Sequence, residues 1–236
     1  FSSKTALVTG ASRGIGRAAA LGLARAGAQV LALARTVGAL EELDDEIRAA
    51  GGKASLIPLD LSDGAAIAEL GKALAGRFGK IDMLVANAGT LGELSPLTDI
   101  NEKVWQRTID VNLTANWRLI RALDPLLRAA GKARVAFLTS SVGGLGPRAF
   151  WGAYGVSKAG LEMLAKTYAL ETAHAGVRVS IIDPGPMRTK MRAEAMPGED
   201  PKTLSEPSAV LPLLYYAVSE QYDGEAQRLA LRDWRR

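Results

Sequence analysis

The chain contains no cysteine and only one histidine, His174, among its 236 residues. Disulfide bonds and thiolate zinc sites are therefore excluded, and one imidazole alone does not predict a metal site. No apolar run reaches the length of about 18 residues that a membrane-spanning helix needs, so we predict no contact with a membrane. His174 lies near the end of a predicted helix, where a protonated ring would suit the helix dipole, and we interpret it as structural.

Positive charge is only slightly in excess. The 29 Lys and Arg residues against 25 Asp and Glu give a net charge of +4. The basic side chains are scattered, apart from residues 187–192 and the C-terminal Arg232, Arg235 and Arg236. A mild basic excess suits a ligand that carries phosphate. No nucleic-acid-binding motif is recognisable, so we predict no nucleic-acid partner.

The start of the chain bears on its location. The segment FSSKTALVTG lacks a basic stretch followed by an apolar one, so we do not expect a signal peptide. Phe1 stands where an initiator Met would be expected, which predicts that the natural chain begins earlier. A cytoplasmic location is the simplest interpretation of a chain without cysteine.

Short apolar segments alternate with helix-like stretches along the chain. Strands are predicted at residues 6–9, 29–34, 54–59, 81–86, 134–139, 177–182 and 227–231. Helices are predicted at residues 14–26, 38–50, 65–78, 101–110, 113–130 and 151–174, the fourth and fifth of which could form one long bent element. This alternation is typical of βαβ units around a parallel sheet. We therefore predict a Rossmann-type, doubly wound α/β fold.

No linker, repeat or change in composition divides the chain. Residues 1–236 are thus predicted to form a single domain. The one long irregular stretch covers residues 185–208 and contains four prolines. Irregular segments of this length often serve as lids or binding loops. Because this one follows the C-terminal end of a strand, we predict a substrate loop rather than a simple surface excursion.

A glycine-rich turn, TGASRGIG at residues 9–16, follows the first predicted strand and opens the first helix. Glycines permit a tight turn and let the backbone approach a pyrophosphate, to which the helix N-terminus offers free N–H groups. The spacing G-x-x-x-G-x-G differs from the commoner G-x-G-x-x-G. The candidate cofactor contacts in this turn are Gly10, Ser12, Arg13, Gly14, Ile15 and Gly16.

The choice between NAD(H) and NADP(H) is expected at the end of the second strand. An acidic residue about 20 positions past the turn would bind the ribose 2′-hydroxyl of NAD. The chain instead has Ala34-Arg35-Thr36 there. Arg35, helped by Arg13, suits a 2′-phosphate through charge-assisted hydrogen bonds, the alternative being that both are ordinary surface arginines. We predict NADP(H) as the cofactor, with NAD(H) as the alternative.

Two further segments follow predicted strands and would border the cofactor. Asp60 and Leu61 follow the third strand, where Asp60 could accept a hydrogen bond from adenine or cap the next helix. Asn87, Ala88 and Gly89 follow the fourth strand, where small residues would let the cofactor pass, the alternative being a plain turn.

Tyr154 and Lys158 are four residues apart at the start of a predicted helix and so share one face. A tyrosine of ordinary pKa, about 10, is a poor acid–base catalyst at neutral pH. The Lys158 ammonium is expected to lower the pKa of Tyr154, and the positive charge of an oxidised nicotinamide would act in the same direction. Lys158 could also bind the hydroxyls of the nicotinamide ribose.

Two polar residues are candidates to assist this pair. Ser141 is predicted to end the fifth strand, thirteen residues before Tyr154, and could donate to a substrate carbonyl. Ser140 is the alternative, and since strand side chains alternate, only one of the two should face the cleft. The spacing favours Ser141. Asn112 could hold a relay water through its amide on the way to Lys158, or cap a helix.

Together these residues resemble the classical short-chain dehydrogenase/reductase family. The likeness covers about residues 5–189 and rests on the TGxxxGxG turn, Asn-Ala-Gly, Asn112, Ser141, Tyr154-x-x-x-Lys158 and Pro184-Gly185, in the order and spacing of the family. The segments NAGTLGELSPL, RAFWGAYGVSKAG and MRAEAMPGEDP look most similar to a bacterial subgroup described only as oxidoreductases. The C-terminal AQRLALRDWRR departs from the glycine-rich ending common in the family.

The resemblance implies a parallel sheet of about seven strands with helices on both faces, and a homodimer or homotetramer. It implies interconversion of a carbonyl and an alcohol with NAD(P)(H). Tyr154 would be the acid in reduction and the base in oxidation, Lys158 would lower its pKa and bind ribose, and Ser141 would polarise the carbonyl. Asn112 would anchor the relay water.

The resemblance also implies contacts to the nicotinamide from Pro184, Gly185 and Thr189, the last through its hydroxyl. The function predicted is therefore that of an NADPH-dependent oxidoreductase acting on a small carbonyl or alcohol substrate. Two alternatives remain: a non-catalytic nucleotide-sensing or scaffold protein on the same fold, and an NAD-dependent alcohol dehydrogenase.

Two groups of side chains are candidates for contact with the substrate. An apolar pocket wall is predicted from Val142, Leu145, Phe150, Trp151, Met187 and Met191, several of which could instead pack in the core or an interface. An acidic substrate could be engaged by four cationic residues, which more often form a solvated face: Arg148, Arg188, Lys190 and Arg192.

Overall fold

A single parallel sheet of seven strands, in the order β3-β2-β1-β4-β5-β6-β7, forms the centre of the protein. The computed structural model describes residues 1–234, so Arg235 and Arg236 of the basic C-terminus lie outside the described residues. The strands are β1 Thr5–Thr9, β2 Gln29–Ala34, β3 Lys53–Pro58, β4 Met83–Ala86, β5 Arg134–Leu138, β6 Arg178–Asp183 and β7 Gln227–Ala230. The strand order reverses direction between β1 and β4, where sheets of this kind open a crevice at their C-terminal edge.

Helices cover both faces of the sheet. They are α1 Gly14–Arg25, α2 Val37–Ala49, α3 Gly64–Phe78, α4 Glu102–Ile109, α5 Ala115–Ala129, α6 Ser141–Gly144, α7 Gly152–Thr172, α8 Lys190–Ala195 and α9 Leu211–Ala217. A π-helical turn, Asp110–Thr114, joins α4 to α5, so the fourth and fifth predicted helices form one continuous element. The predicted doubly wound fold is confirmed.

Two hydrophobic clusters pack against opposite faces of the sheet, as the alternation of side chains along each strand requires. In β1, Ala6 and Val8 belong to the cluster under α1, α2 and α9, whereas Leu7 belongs to the cluster under α3, α5 and α7. All three side chains are fully buried. Burial on both faces explains why the strand segments are almost continuously apolar rather than alternating.

The largest difference from the predicted elements lies after β5. This strand ends at Leu138, and the chain turns into the short α6 at Ser141, where Gly143 has a φ of +93°. A Cβ atom on Gly143 would lie 2.3 Å from the carbonyl oxygen of Gly155, so the turn packs directly on the start of α7. The sequence predicted that Ser141 ends the fifth strand, but in the structure Ser141 is the first residue of α6.

Besides α6, two further helices were not predicted, α8 and α9. The first lies within the irregular segment 185–208, and its first turn is capped by Thr189, whose Oγ1 accepts from Arg192 N at 3.2 Å. The second begins with Pro212 in its first turn, a position that tolerates proline because its N–H would have no helical partner. Prolines around both helices interrupt the helical periodicity of the sequence there.

Candidate active site

A large cavity of about 1320 Å³ opens at the C-terminal edge of the sheet. It is lined by most of the predicted site residues: Gly10, Ser12, Arg13, Gly14, Ile15, Arg35, Asp60, Leu61, Asn87, Ala88, Gly89, Ser141, Tyr154, Lys158, Pro184, Gly185 and Thr189. Residues from the two halves of the chain are thus brought to one cleft. Of the predicted residues, Gly16 and Asn112 do not line the cavity itself.

The glycine-rich turn forms a tight cradle between β1 and α1. Gly10 and Gly14 adopt φ values of +67° and +56°, which favour glycine. A Cβ atom on Gly16 would lie 2.1 Å from the carbonyl oxygen of Gly10, so no side chain fits there. Within residues 1–234 no side chain caps the N-terminus of α1, which begins after Arg13, and its first N–H groups are left available for an anion. This cradle fits a dinucleotide pyrophosphate.

Two arginines converge on Asp60 at the end of the cleft near β2. Asp60 Oδ2 lies 3.8 Å from Arg35 Nη1 and 3.9 Å from Arg107 Nη2. Partial burial acts to raise the pKa of Asp60, but hydrogen bonds from Ser62 and the two arginine charges together lower it. Asp63 rather than Asp60 caps α3, by accepting from Ala66 N. The alternative interpretation of Asp60 as the helix cap is therefore wrong.

Asn87 ties the end of β4 to the glycine-rich turn. Its Nδ2 donates to the carbonyl oxygen of Thr9 at 2.9 Å. The backbone N–H groups of Asn87 and Ala88 both donate to Thr9 Oγ1 at 3.0 Å. These bonds fix the two strand ends on either side of the crevice and make the segment more than a plain turn.

Tyr154 lies in the first turn of α7 and is buried, with 7% of its surface exposed. Its ring meets Trp151 edge to face at a centroid distance of 5.8 Å. The Ser140 side chain acts on this hydroxyl as a hydrogen-bonding group that lowers the pKa of Tyr154. Lys158 Nζ lies 5.8 Å from the centre of the Tyr154 ring.

The structure brings Ser140, not the predicted Ser141, to Tyr154. Both serines line the cavity, but the Ser141 side chain is exposed. Ser140 Oγ also accepts from Val142 N at 3.2 Å, which holds the side chain at the start of α6. Strand alternation does not apply here because β5 ends before either serine, so neither alternation nor the spacing of thirteen residues selects between them.

In the cofactor-free protein, burial is the main influence on the pKa values of Tyr154 and Lys158. It raises the pKa of Tyr154 to about 12, against the effect of the Ser140 hydrogen bond and with help from the Asp183 charge. This is opposite to the lowering predicted from Lys158. Burial also lowers the pKa of Lys158 to about 8, although the nearby Glu162 carboxylate acts to raise it. Lys158 Nζ donates to the carbonyl oxygen of Leu138 at 2.7 Å.

The lowered pKa of Lys158 predicts a stability that depends on pH. Between pH 8 and 10.5 the unfolded chain binds a proton at this side chain that the folded chain does not, so folding becomes more favourable as pH rises. Below pH 8 the cost of the buried ammonium is present in full. We expect Lys158→Met to raise the free energy of unfolding by roughly 1–3 kcal/mol at pH 7.

Thermal or denaturant unfolding of Lys158→Met and wild type between pH 7 and 10.5 measures this difference. The gain in the free energy of unfolding of Lys158→Met over wild type should shrink as pH rises through this window. Lys166→Met, on the same helix and at a position where the side chain is exposed, is the matched control and should show no such trend. A gain that stays constant with pH would contradict the assignment of the buried charge.

Asn112 lies in the π-helical turn and is fully buried. Its Nδ2 donates to the Thr90 carbonyl and to Ser157 Oγ, both at 2.9 Å, and its Oδ1 accepts from Thr90 N at 2.8 Å. Both amide hydrogens are thus used within the protein, whereas Oδ1 keeps a second lone pair, and the relay water stays a prediction. The side chain fixes the loop after β4 to α7, and it does not cap a helix.

The segment 185–208 folds over the cleft. Arg188 donates through Nε to the Pro201 carbonyl at 2.9 Å and pairs with Glu206, while Arg192 makes two bonds to Glu199. A Cβ atom on Gly14 would lie 3.4 Å from Thr189 Cγ2, so the segment reaches the glycine-rich turn.

The four cationic candidates thus differ in their partners. Arg188 and Arg192 are engaged within the segment, and Lys190 lies 3.9 Å from Glu194. Arg148 stacks over Trp151 at 5.1 Å from the centre of the ring. It also lines the cavity, and no carboxylate within residues 1–234 forms an ion pair with it.

The predicted apolar wall is only partly formed. Val142, Trp151, Met187 and Met191 line the cavity. Leu145 and Phe150 do not, and they are 54% and 60% exposed. The turn after Ser140 carries Leu145 outward, and Phe150 sits at a positive φ of 71° before α7 begins.

Residues 1–234 contain no group of three or more His, Cys, Asp and Glu side chains that could hold a metal ion. None of the helices in that range combines the length and apolar character needed to cross a membrane.

A glycine cradle at the reversal point of a doubly wound sheet, with a buried Tyr and Lys in the same cleft, is typical of dinucleotide-dependent oxidoreductases. The sequence profile of the family described as short chain dehydrogenase matches residues 4–200. The chain belongs to this family, which confirms the resemblance.

Known relatives extend over most of the chain. It is 37% identical over 217 residues to the oxidoreductase YciK of Escherichia coli K12, covering 91% of this chain and 85% of that protein. A short chain dehydrogenase structure from Pseudomonas syringae superposes with a TM-score of 0.94 at 39% identity, covering 98% of this chain and 95% of the other. A short chain dehydrogenase structure from Shigella flexneri complexed with NADP superposes with a TM-score of 0.94 at 34% identity, covering 98% of each chain.

Proposed function

We propose that the protein is an NADPH-dependent oxidoreductase that interconverts a carbonyl and an alcohol of a small molecule. The observation that carries the proposal is the convergence of Tyr154, Ser140 and Lys158 in the cavity that also contains the glycine cradle. A proton donor and a dinucleotide site in one cleft are what a reversible hydride transfer requires. NADPH supplies the hydride when it is bound.

In reduction, Tyr154 is the proton donor. With its pKa raised to about 12 by burial, the phenol remains protonated at neutral pH and can donate to the carbonyl oxygen of the substrate. Ser140 is the second donor to that oxygen and stabilises the negative charge that develops there. In oxidation the same phenol must first lose its proton, and the positive charge of the oxidised nicotinamide then favours the phenolate.

Lys158 supports both parts of the site. Its ammonium is held close to the Tyr154 ring by the bond to the Leu138 carbonyl. From there it is suited to bind the ribose hydroxyls and to stabilise the phenolate. Pro184, Gly185 and Thr189 are proposed to contact the nicotinamide, and the segment 185–208 is proposed to close over the substrate.

The preference for NADPH is supported by the cationic end of the cleft. Arg13 and Arg35 line it, and no acidic side chain directly follows β2. Asp60 remains available to the adenosine half while it orients Arg35. The NADP complex of the Shigella flexneri relative supports the same choice.

The experiment that tests the proposal is a fluorescence titration with NADPH and NADH on wild type and Arg35→Ala at matched salt. We expect wild type to bind NADPH more tightly, and Arg35→Ala to lose about 10- to 100-fold in NADPH affinity with little change for NADH, since a charge-assisted bond to phosphate contributes about 1.5–3 kcal/mol. Arg77→Ala, an exposed arginine on α3, is the control.

Turnover of cyclohexanone, benzaldehyde and diacetyl with NADPH completes the test. Tight NADPH binding without turnover on a broad carbonyl panel would favour the alternative, a nucleotide-sensing protein. A preference for NADH would favour the NAD-dependent dehydrogenase.

The homodimer or homotetramer and the cytoplasmic location stay predictions, and sedimentation of the purified protein measures the first of them.

A further inference from the structure

Arg228, on the edge strand β7, contacts three segments that border the proposed reactive groups. Its Nε donates to Glu162 Oε1 at 3.2 Å. Its Nη2 donates to Asp183 Oδ2 at 2.7 Å and to the carbonyl oxygen of Ser140 at 3.2 Å. Glu162 lies one turn after Lys158 on α7, and Asp183 ends β6. One side chain therefore links the segment that follows β5, helix α7 and the end of β6.

The three charged side chains are largely withdrawn from water. Arg228 is 17% exposed, and Glu162 and Asp183 are 5% exposed each. Each carboxylate also anchors nearby groups: Glu162 accepts from Thr139 Oγ1 at 2.7 Å, and Asp183 accepts from a backbone N–H at 3.0 Å. Loss of one partner from such a cluster leaves an uncompensated buried charge.

The turn that follows Ser140 packs against the charged cluster of Arg228, Glu162 and Asp183. A Cβ atom on Gly144 would lie 2.0 Å from Glu162 Oε1 and 3.1 Å from Arg228 Nε. Any displacement of the ion pair would therefore be transmitted to α6, which carries the hydrogen bond that holds the Ser140 hydroxyl.

The cluster also sets the charge around the reactive pair. Glu162 on α7 raises the pKa of Lys158 against the larger effect of burial, and Asp183 on β6 adds to the rise that burial gives Tyr154. Arg228 on β7 offsets both carboxylates, whereas the residues that follow β5 here, Thr139 and Ser140, are uncharged. Without the guanidinium, both carboxylates would act unopposed.

We propose that Arg228 is a positioning residue that fixes the Ser140 hydroxyl relative to Tyr154 and balances the negative charge beside Lys158. The inference rests on the proposed oxidoreductase function for its effect on turnover. Its electrostatic part concerns only groups of this chain and is measurable without cofactor or substrate.

The test compares Arg228→Met and Arg228→Lys with wild type. The matched control is Arg134→Met, which removes a buried sheet arginine that also donates to backbone carbonyls, but from the opposite end of the sheet. We expect Arg228→Met to lower kcat for NADPH-dependent carbonyl reduction at least ~10-fold with KM changed less than ~3-fold, since a donor to the developing oxyanion is displaced. Arg228→Lys should recover part of the loss, and Arg134→Met should lose stability but not kcat.

The second readout is the titration of Lys158 in the cofactor-free protein, followed by NMR with ¹³C-labelled lysine and assigned with Lys158→Met. The midpoint, expected near pH 8 in wild type, should rise by about one pH unit in Arg228→Met and stay unchanged in Arg134→Met. If Arg228→Met does not fold, Arg228→Gln carries the same expectation. An unchanged midpoint overturns the inference.

If wild type reduces no carbonyl on the panel, the proposed function fails, and the titration still decides the role of Arg228.

Discussion

Tyr154→Phe is expected to lower the rate of NADPH-dependent carbonyl reduction by about 10²- to 10⁴-fold, the range that a positioned proton donor contributes. The substitution removes only the hydroxyl and keeps the ring that packs edge to face on Trp151. Binding of NADPH should change little, because the glycine cradle and Arg35 are untouched. Steady-state kinetics and a fluorescence titration of the same preparation measure the two effects.

Tyr168→Phe is the matched control for this substitution. Tyr168 lies on the same helix, and its hydroxyl donates to Asp124 Oδ1 at 2.8 Å, far from the cleft residues. This variant should lose some stability with the hydrogen bond but keep its turnover. Unchanged turnover in Tyr154→Phe on every active substrate would refute the proposed proton donor.

Ser140→Ala is expected to lower kcat by about 10²- to 10³-fold, as the loss of one donor to an oxyanion typically does. Ser141→Ala, which alters the neighbouring exposed hydroxyl, should leave kcat within about 3-fold of wild type, since Ser141 does not bond Tyr154. Steady-state kinetics on the two variants thus decide between two adjacent residues of the same type.

Ser140→Ala also removes the bond that Oγ accepts from Val142 N, which costs roughly 1 kcal/mol of stability. Ser140→Thr keeps a hydroxyl and should restore part of the turnover, which separates chemistry from a general loss of structure. A large effect of Ser141→Ala together with a small one of Ser140→Ala would reverse the assignment.

The sequence predicted the fold and the cofactor cradle because both depend on local patterns. Apolar segments of strand length alternate with helices, and this pattern leaves little choice but a parallel sheet covered on both faces. The turn from Gly10 to Gly16 is equally local, since positive φ values and close backbone contacts demand glycine within a few residues. Tyr154 and Lys158 were found because four residues make one helical turn.

Errors arose where the backbone left regular structure or where the partner of a side chain lay far along the chain. Strand alternation gave no guidance for Ser140 and Ser141 because β5 had already ended. The amide of Asn112 bonds Thr90 and Ser157, and the second of these partners is 45 residues away. Leu145 and Phe150 were placed in the pocket by composition, although the turn directs both outward.

Arg228 shows the same limit most clearly, since nothing local in AQRLALRDWRR marks it as functional. Its bonds join it to Glu162, 66 residues earlier, and to Asp183, 45 residues earlier, and only the sheet order β5-β6-β7 brings the three together. The class of fold, the glycine-rich turn and the shared face of Tyr154 and Lys158 follow from the sequence alone, because periodicity and turn geometry act over a few residues. Which serine lies near Tyr154 and which charges surround Lys158 are visible only in the folded protein, because burial and long-range contacts exist only after the strands are assembled.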